Sequence, residues 1–334
     1  MGNFYDEWLG YWDAEQAERA QARKYIHEED LDWVRTKQDY RTALLCAREN
    51  GFITSGVTML AEMPTSWHSG KHSHGEEAIF IVRGTGFSIV DDKRYDWEEG
   101  SCLFIPYSSV HQHFNSGENE VRYLSVMALP LERFAGLAKL MQYEEAGETP
   151  MGEPTDVEKA ESDIHPEHGR IVLRLKDAPV HEAKERAAKM AARTDEFALS
   201  MAKEQRTAGA PGHRARSTQL MQPEMGFKAR EMEITNILHD LPGGRSGKHS
   251  HMEALLYVLE GEGYSVMDGE RFEWKTGTLF QVPGPNTVHQ HWNTGQNESK
   301  QLRIHYGLRA QYFQSIARRV FPYQYYEYSS YGKG

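Results

Sequence analysis

Short apolar segments alternate with turn residues in two parts of the chain, in the pattern of β-strands. The first part predicts strands over 78–83, 87–90, 103–105 and 121–127. The second predicts strands over 255–259, 264–267, 279–282 and 302–306. The dipeptide Asp268-Gly269 favours a type I′ hairpin turn between two of them. Regularly spaced short strands indicate a mainly β protein with two small barrels or sandwiches.

The two parts repeat each other. Each begins with the residues SGKHSH, at Ser69 and at Ser246, and each continues to a histidine-rich strand that ends in asparagine. The spacing between matching residues drifts only from 177 to 178, so one inserted residue near Pro283 separates the copies. The residues that recur are His72, His74, His111, His113 and Asn115, matched by His249, His251, His289, His291 and Asn293.

The remainder of the chain has a different character. Residues 145–170 are acidic and contain proline and glycine, which indicates a connection, while 14–28 and 181–206 favour helices. The Tyr-rich C-terminus suggests packing or exchange onto a neighbouring subunit. We therefore divide the chain into an N-terminal helical segment (1–49), a first barrel (50–130), a linker with a helical insertion (131–218), a second barrel (219–310) and a Tyr-rich tail (311–334).

Composition and charge narrow the function. The chain has 334 residues, 39% of them hydrophobic and 26% charged, as in folded proteins. Its net charge of -11 disfavours nucleic acid and anionic lipid as partners. The sequence has no long apolar span and no signal-peptide pattern, so we expect no membrane segment. Its two cysteines form no disulfide framework, which favours the cytoplasm.

The repeated histidines have the pattern of a metal site. On a strand, residues i and i+2 project to the same face, so His72 and His74 place two imidazoles in one barrel interior, as do the matching pair in the second copy. His111 and its counterpart follow a glycine-proline turn and supply a third ligand. Glu77 adds a carboxylate in the first copy, where the second copy has Ala254. Three imidazoles leave coordination positions open, which indicates chemistry at the metal.

These residues resemble the cupin superfamily, whose two motifs have the forms G(x)5HxH(x)3-4E(x)6G and G(x)5PxG(x)2H(x)3N. The second motif fits Gly100, Pro106, His111 and Asn115 closely, with Ser108 in place of the family glycine. The first motif is one residue shorter before Glu77 and lacks its glutamate in the second copy. The resemblance implies two tandem jelly-roll barrels with metal ligands at His72, His74, Glu77, His111, His249, His251 and His289.

Among two-barrel cupins, three features of this chain resemble gentisate 1,2-dioxygenases and related salicylate and hydroxynaphthoate ring-cleaving enzymes. They are the three-histidine set without glutamate, the strand end EGEG at 260–263 and the H-x-H-x-N ending. The resemblance implies a homo-oligomeric Fe(II) dioxygenase that uses O₂ to cleave a hydroxylated aromatic acid. These enzymes usually keep one complete ligand set, so two complete sets are a departure. Candidate catalytic side chains near the metal are His113, His291, Gln281, Arg303 and His305, and Arg303 is a candidate partner for a substrate carboxylate.

Two other classes remain open from the sequence. A manganese-dependent decarboxylase or oxidase would use Mn(II) with a glutamate ligand, which Glu77 permits in the first barrel alone. A noncatalytic metal-binding or ligand-binding protein of the same architecture would not need complete ligand sets in both halves. The lack of a carboxylate at Ala254 favours the second barrel, by a narrow margin, as the place of ring cleavage.

Overall fold

The N-terminal segment contributes a helix and two strands. The computed structural model describes residues 3–149, 157–182, 216–306 and 324–327. Helix α1 spans Phe4–Gln21, and strands β1 and β2 span Tyr25–Ile26 and Arg41–Cys46. Short 3-10 turns lie at Glu28–Asp30 and Arg48–Asn50.

The first barrel follows directly and contains the strands that the sequence predicts, extended by at most one residue. They are β3 Val57–Met63, β4 Trp67–His68, β5 Lys71–Ser73, β6 Glu77–Arg83, β7 Gly86–Val90, β8 Lys93–Trp97, β9 Cys102–Ile105, β10 His111–Asn115 and β11 Val121–Met127.

Where it is described, at 128–149 and 157–182, the connection to the second barrel contains one short helix and short strands. They are α2 Leu129–Ala135, β12 Met141–Glu144, β13 Gly147–Glu148, β14 Ile164–His165, β15 Gly169–Arg170, β16 Val172–Leu173 and β17 Val180–Glu182, with a 3-10 turn at Leu175–Asp177. The strands arise because this segment pairs with both barrels: β16 joins β9, and β17 joins the first strand of the second barrel.

The second barrel repeats the first. Its strands are β18 Arg216–Met221, β19 Glu233–Asp240, β20 Lys248–Ser250, β21 Ala254–Glu260, β22 Glu262–Met267, β23 Glu270–Lys275, β24 Leu279–Val282, β25 His289–Asn293 and β26 Ser299–His305, followed by β27 Gln324–Glu327. A 3-10 turn lies at Pro223–Met225. The fold is therefore mainly β, with two tandem barrels.

Each barrel consists of two sheets that face each other. In the first barrel the sheet β16-β9-β6-β11-β3-β2 faces one built around β12-β5-β10-β4-β13, to which β7 and β8 also belong. In the second barrel the sheet β1-β24-β21-β26-β19-β18-β17 faces the sheet β23-β22-β25-β20-β27. We call the first sheet of each pair the inner sheet and the second the histidine sheet, because the repeated histidines lie on it or directly beside it.

The inner sheets are apolar on both faces, which explains their unbroken hydrophobic runs. In β6, Ile79 and Ile81 pack into the first barrel, while Ala78 and Phe80 pack in a core that also contains Leu255 and other second-barrel residues. The two barrels therefore share one core between their inner sheets, and each barrel has its own interior.

The hairpin turn at Asp268-Gly269 has the predicted backbone. Both residues have positive φ, 49° and 88°, as a type I′ turn requires. Asp91 and Asp92, at the same place in the first barrel, have φ values of 46° and 64°. The repeat thus extends to the turn geometry.

The helix predicted over 14–28 is displaced in the structure. Helix α1 begins at Phe4 because Asn3 and Asp6 form a capping box, and it ends at Gln21. Beyond it the chain is extended, because β1 pairs with β24 of the second barrel. The prediction was wrong at the C-terminal end, since pairing with a distant strand overrode local helix preference.

Two other predictions fall largely outside the described residues. Of the helix predicted over 181–206, residues 181 and 182 are in strand β17, and 183–206 lie outside the described part of the chain. Within the Tyr-rich tail, Gln324–Glu327 form a strand that pairs with β20 of the second barrel.

Candidate metal centres

Three imidazoles of the first barrel converge at one point. His111 begins β10 and lies opposite His72 of β5, and His74 follows directly after β5. The ring centroids are 4.1 to 4.8 Å apart. One ligand nitrogen from each ring lies within 4.8 Å of the others, and all three side chains are buried.

Backbone carbonyls fix the orientation of these rings. The Nδ1 atoms of His72, His74 and His111 bond to the carbonyl oxygens of Gly70, Gly75 and Ser109, at 3.1, 2.9 and 2.9 Å. Each Nδ1 must carry the proton of this bond, so each Nε2 presents a lone pair.

The buried Nε2 of His111 tests whether a metal fits. Within the described residues it has no hydrogen-bond partner. Burial lowers the pKa of His111 well below its ordinary value, and the neighbouring imidazoles lower it further, so the His111 ring stays in its neutral, ligating form. An orphaned, neutral, preoriented nitrogen fits a divalent metal ion.

Glu77 adds a carboxylate from the opposite sheet. Its Oε2 lies 3.5 Å from Nε2 of His74 and 3.7 Å from Nε2 of His111. Its other oxygen accepts a hydrogen bond from the Ser125 hydroxyl, and burial raises the pKa of Glu77 to about 7. A bound cation would hold this carboxylate ionised, so the first centre offers three nitrogens and one oxygen.

The second barrel repeats the three histidines with the same orientation. His249 lies opposite His289, and the ring centroids of the three, including His251, are 4.3 to 5.2 Å apart. Their Nδ1 atoms bond to the carbonyls of Gly247, Met252 and Thr287. Ala254 replaces the carboxylate of the first barrel, so the second centre offers three nitrogens.

The inner sheets differ in the row of residues that faces each centre. In the first barrel, Val57, Met127 and Glu77 lie side by side on neighbouring strands. The equivalent positions in the second barrel hold Glu233, His305 and Ala254, as the register of β19, β26 and β21 places them. Two residues earlier on β11, on the same face, the first barrel has Ser125. The equivalent residue on β26 of the second barrel is Arg303.

The second centre is therefore bordered by cationic and polar groups. Burial lowers the pKa of His251 well below its ordinary value, and His289, Arg303 and His305 lower it further. Burial raises the pKa of Glu233 to about 7, and Arg303 opposes this shift. Arg303 lies two residues before His305 on the same face of β26, and Glu233 is the register partner of His305. The candidate site residues Arg303 and His305 thus lie beside the second set of ligands.

His113 and His291 are buried two residues after a ligand, on the same strand face. His113 Nδ1 bonds to the Ser88 hydroxyl at 2.7 Å, and Trp97 donates to the same hydroxyl at 2.9 Å. In the second barrel, His291 Nδ1 bonds to the Ser265 hydroxyl at 2.7 Å, and Trp274 donates to the same hydroxyl at 3.1 Å. Each of these two histidines is therefore part of a buried tryptophan-serine-histidine arrangement. It joins β10 to β7 and β8 in the first barrel, and β25 to β22 and β23 in the second.

Gln281 does not join the second centre. It lies opposite Leu255 on β21, on the face that packs between the two barrels. Its amide donates to the carbonyl of Ile53 at 2.8 Å and to Glu253 at 2.6 Å. Its position favours a role in joining the barrels.

Among the buried carboxyl groups that sequence reasoning missed are Asp39 and Glu233. Asp39 accepts a hydrogen bond from Tyr123 inside the first barrel, and burial raises its pKa to about 7. Asp39 lies before the repeated region, so the repeat carried no signal for it. Glu233 has no acidic counterpart in the first copy, and a β-bulge after Ile234 shifts its register. A search for residues at which the copies differ would have found Glu233.

Comparison with known proteins identifies the class. The Cupin domain family matches residues 59–127 and 236–304, which contain most strands of the two barrels. The chain therefore carries two cupin domains in tandem and is a bicupin. An uncharacterized protein of Methanocaldococcus jannaschii is 39% identical over 59 residues, which is 18% of this chain and 46% of that relative. The alignment thus spans about half the length of the relative.

Solved structures share the two-barrel fold. A salicylate 1,2-dioxygenase variant from Pseudoaminobacter salicylatoxidans in complex with gentisate has 13% identity and a TM-score of 0.56, and the match covers 82% of this chain and 73% of that one. The oxalate decarboxylase of Bacillus subtilis, in a mutant form, has 14% identity and a TM-score of 0.58, covering 86% and 77%. At these identities the similarity concerns the fold alone.

Among the described ranges, no helix combines the length and the hydrophobicity that a bilayer crossing requires. Cys46 and Cys102 are both buried and free.

Proposed function

We propose that the protein is a non-haem Fe(II)-dependent dioxygenase that cleaves the ring of a hydroxylated aromatic acid, similar to gentisate or salicylate, in its second barrel. One difference between the barrels carries this proposal. Where the first barrel has Glu77 and Ser125, the second has Ala254 and Arg303. At these two positions the second barrel lacks the carboxyl group and has a cation, while its own carboxyl group in this row, Glu233, has a pKa that burial raises to about 7. The cation favours an anionic substrate.

The cofactor follows from the donor set. Fe(II) on three neutral imidazoles supplies a Lewis acid and a redox centre for O₂, with positions open for substrate. The carbonyl groups of Gly247, Met252 and Thr287 hold the three rings in their ligating tautomer. The chain thus fixes the ligands before any ion binds, which lowers the cost of assembling the centre.

Arg303 has the role of carboxylate anchor. It is half-buried on the inner sheet, beside Leu256, and so faces the barrel interior. A guanidinium binds a carboxylate with two parallel hydrogen bonds and fixes its orientation. Anchoring the substrate at the inner sheet directs its ring toward the histidine sheet. The gentisate-bound structure of the similar salicylate dioxygenase supports an aromatic acid as the ligand class.

A manganese-dependent decarboxylase or oxidase is the second candidate, and Glu77 favours it. Its carboxylate lies within 4 Å of two imidazole nitrogens of the first centre, which gives a ligand set with hard oxygen character. The similarity to oxalate decarboxylase supports this alternative in the first barrel.

The deciding experiment loads the protein with Fe(II) without oxygen and then measures O₂ uptake with gentisate, salicylate and hydroxynaphthoate. We expect uptake with at least one acid, its loss in His289→Ala and its retention in His111→Ala, with metal content measured in each sample. Loss in His111→Ala alone would assign the reaction to the first barrel. Release of CO₂ from oxalate by the Mn(II) protein, with no aromatic activity, would establish the decarboxylase.

We also propose that the protein self-associates through α1. Five aromatic side chains in its first three turns are exposed: Phe4 by 64%, Tyr5 by 57%, Trp8 by 55%, Tyr11 by 60% and Trp12 by 41%. Together they offer roughly 500 Å² of surface, more than half of the ~800 Å² that one partner of a stable interface contributes.

The occupant we propose is a second copy of this chain, at the surface after α2. There Phe134, Leu137 and Leu140 are exposed, with Phe134 91% accessible. This surface carries the cations Arg133 and Lys139, whereas α1 carries acidic residues: Asp6, Glu7, Asp13 and Glu15. Apolar surfaces of opposite charge favour each other as partners.

The free, buried cysteines agree with a cytoplasmic location.

A further inference from the structure

Two buried side chains beside the second centre have polar atoms without partners. Glu233 and His305 are each 8% exposed. Within the described residues, Glu233 Oε1 and His305 Nδ1 make no hydrogen bond. A buried polar atom without a partner costs free energy, so its retention calls for a ligand or water.

The two groups face the same space. Glu233 and His305 are register partners on β19 and β26, and their side chains share one face of the inner sheet. The next strand contributes Ala254, whose side chain is small and apolar. In the first barrel the same three positions hold Val57, Met127 and Glu77, so the paired polar atoms are particular to the second barrel.

Arg303 completes the group. It lies two residues before His305 on β26 and opposite Leu256, so its side chain shares the face of the inner sheet that carries Glu233 and His305. One cation thus borders a carboxyl group and an imidazole whose free atoms can accept or donate a proton. A hydroxylated carboxylic acid has the matching groups.

We propose that Glu233 and His305 select the substrate by binding a ring hydroxyl next to the carboxylate that Arg303 holds. This inference rests on the proposed function, since it concerns the same site. A site built to bond a hydroxyl discriminates against the analogue that lacks it, because its buried polar groups are then left unpaired. Glu233 is therefore a specificity-determining residue.

The test compares salicylate with benzoate, which differs only by the hydroxyl. Calorimetric titration of the Fe(II)-loaded protein without oxygen gives both dissociation constants. The variants Glu233→Val and Arg303→Ser copy the residues of the first barrel at these positions, so the fold already accommodates them. Glu233→Gln keeps the hydrogen-bonding capacity, and Glu262→Gln, at the exposed start of β22, is the control.

We expect Glu233→Val to weaken salicylate binding roughly tenfold and to change benzoate binding less than twofold. Glu233→Gln retains most of the discrimination, Arg303→Ser weakens both ligands, and Glu262→Gln changes neither. Equal weakening of both ligands by Glu233→Val, or no effect on either, would overturn the inference.

The two proposals fail separately. If salicylate binding depends on Glu233 but the protein consumes no O₂, the inference is supported and the proposed function is contradicted. Oxygen uptake with unchanged KM in Glu233→Val removes the inference and leaves the function. A wild-type protein that binds neither salicylate nor benzoate contradicts both.

Discussion

The Ser55 hydroxyl of the first barrel donates a 3.0 Å hydrogen bond to the carboxylate of Glu253, two residues after the ligand His251 of the second barrel. The reverse contact also exists: Glu76, two residues after His74, accepts hydrogen bonds from the backbone of Arg230 and Glu231 in the second half of the chain. Each ligand loop is therefore held by the other barrel. The two barrels need each other to position their histidines.

Removal of the Ser55 hydroxyl should loosen the second centre. We expect Ser55→Ala to lower the free energy of unfolding by about 1 kcal/mol and to weaken metal binding at the second centre a few-fold. Competition with a chromophoric chelator measures the metal affinity of both centres, and Ser116→Ala, at an exposed position, is the control. An equal effect on both centres would show that the bond stabilises the fold without positioning His251.

The fully loaded protein should bind close to two metal ions per chain, because both histidine sets are complete. His74→Ala and His251→Ala should each remove about one ion and keep the fold. Elemental analysis with far-ultraviolet circular dichroism checks both expectations. Near-zero binding after anaerobic reconstitution, or collapse of the spectrum in both variants, would mean that these histidines are structural.

Asp39→Asn should change the dependence of stability on pH. Burial raises the folded pKa of Asp39 to about 7, above its unfolded value, so its favourable contribution is present at low pH and is lost as the pH rises through 7. Asparagine still accepts the Tyr123 hydrogen bond but cannot ionise.

Urea unfolding of the metal-free protein at pH 5 and pH 8 measures this effect. The free energy of unfolding of Asp39→Asn minus that of the wild type should be roughly 1–3 kcal/mol higher at pH 8 than at pH 5. A difference that is the same at both pH values would contradict the raised pKa.

Trp8→Ser with Trp12→Ser should reduce self-association, since these changes remove two of the exposed rings of α1. Light scattering after size-exclusion chromatography measures the molar mass. Phe134→Ser should have the same effect from the other surface, and Ile164→Ser, an exposed residue elsewhere, serves as the control. A monomeric wild type, or an assembly that survives all three changes, would contradict the proposed contact.

The sequence by itself determined the two barrels and both histidine sets. Strand positions follow from local alternation and turn residues, and the placement of His72 and His74 on one face follows from the geometry of a strand. Duplication strengthened each assignment, because a pattern present twice in the same frame is not a chance pattern. The lack of a carboxylate at Ala254 was equally visible.

Only the tertiary structure decided which side chains accompany the ligands. Gln281 and Arg303 are both polar residues in apolar strands, and the pairing of β21 with its neighbours turns the first toward the other barrel and the second toward the interior. Strand alternation is local, but which face is the interior depends on the opposing sheet. Glu233 lies behind a β-bulge, whose register only the paired strands define.

The same reason explains the N-terminal segment. The sequence around residues 22–28 favours a helix. In the structure β1 instead pairs with β24 of the second barrel, more than 250 residues away in the sequence. Contacts between distant parts of the chain outweigh the small differences in local preference. Local sequence specified the elements, and long-range pairing decided where they end and what their polar residues face.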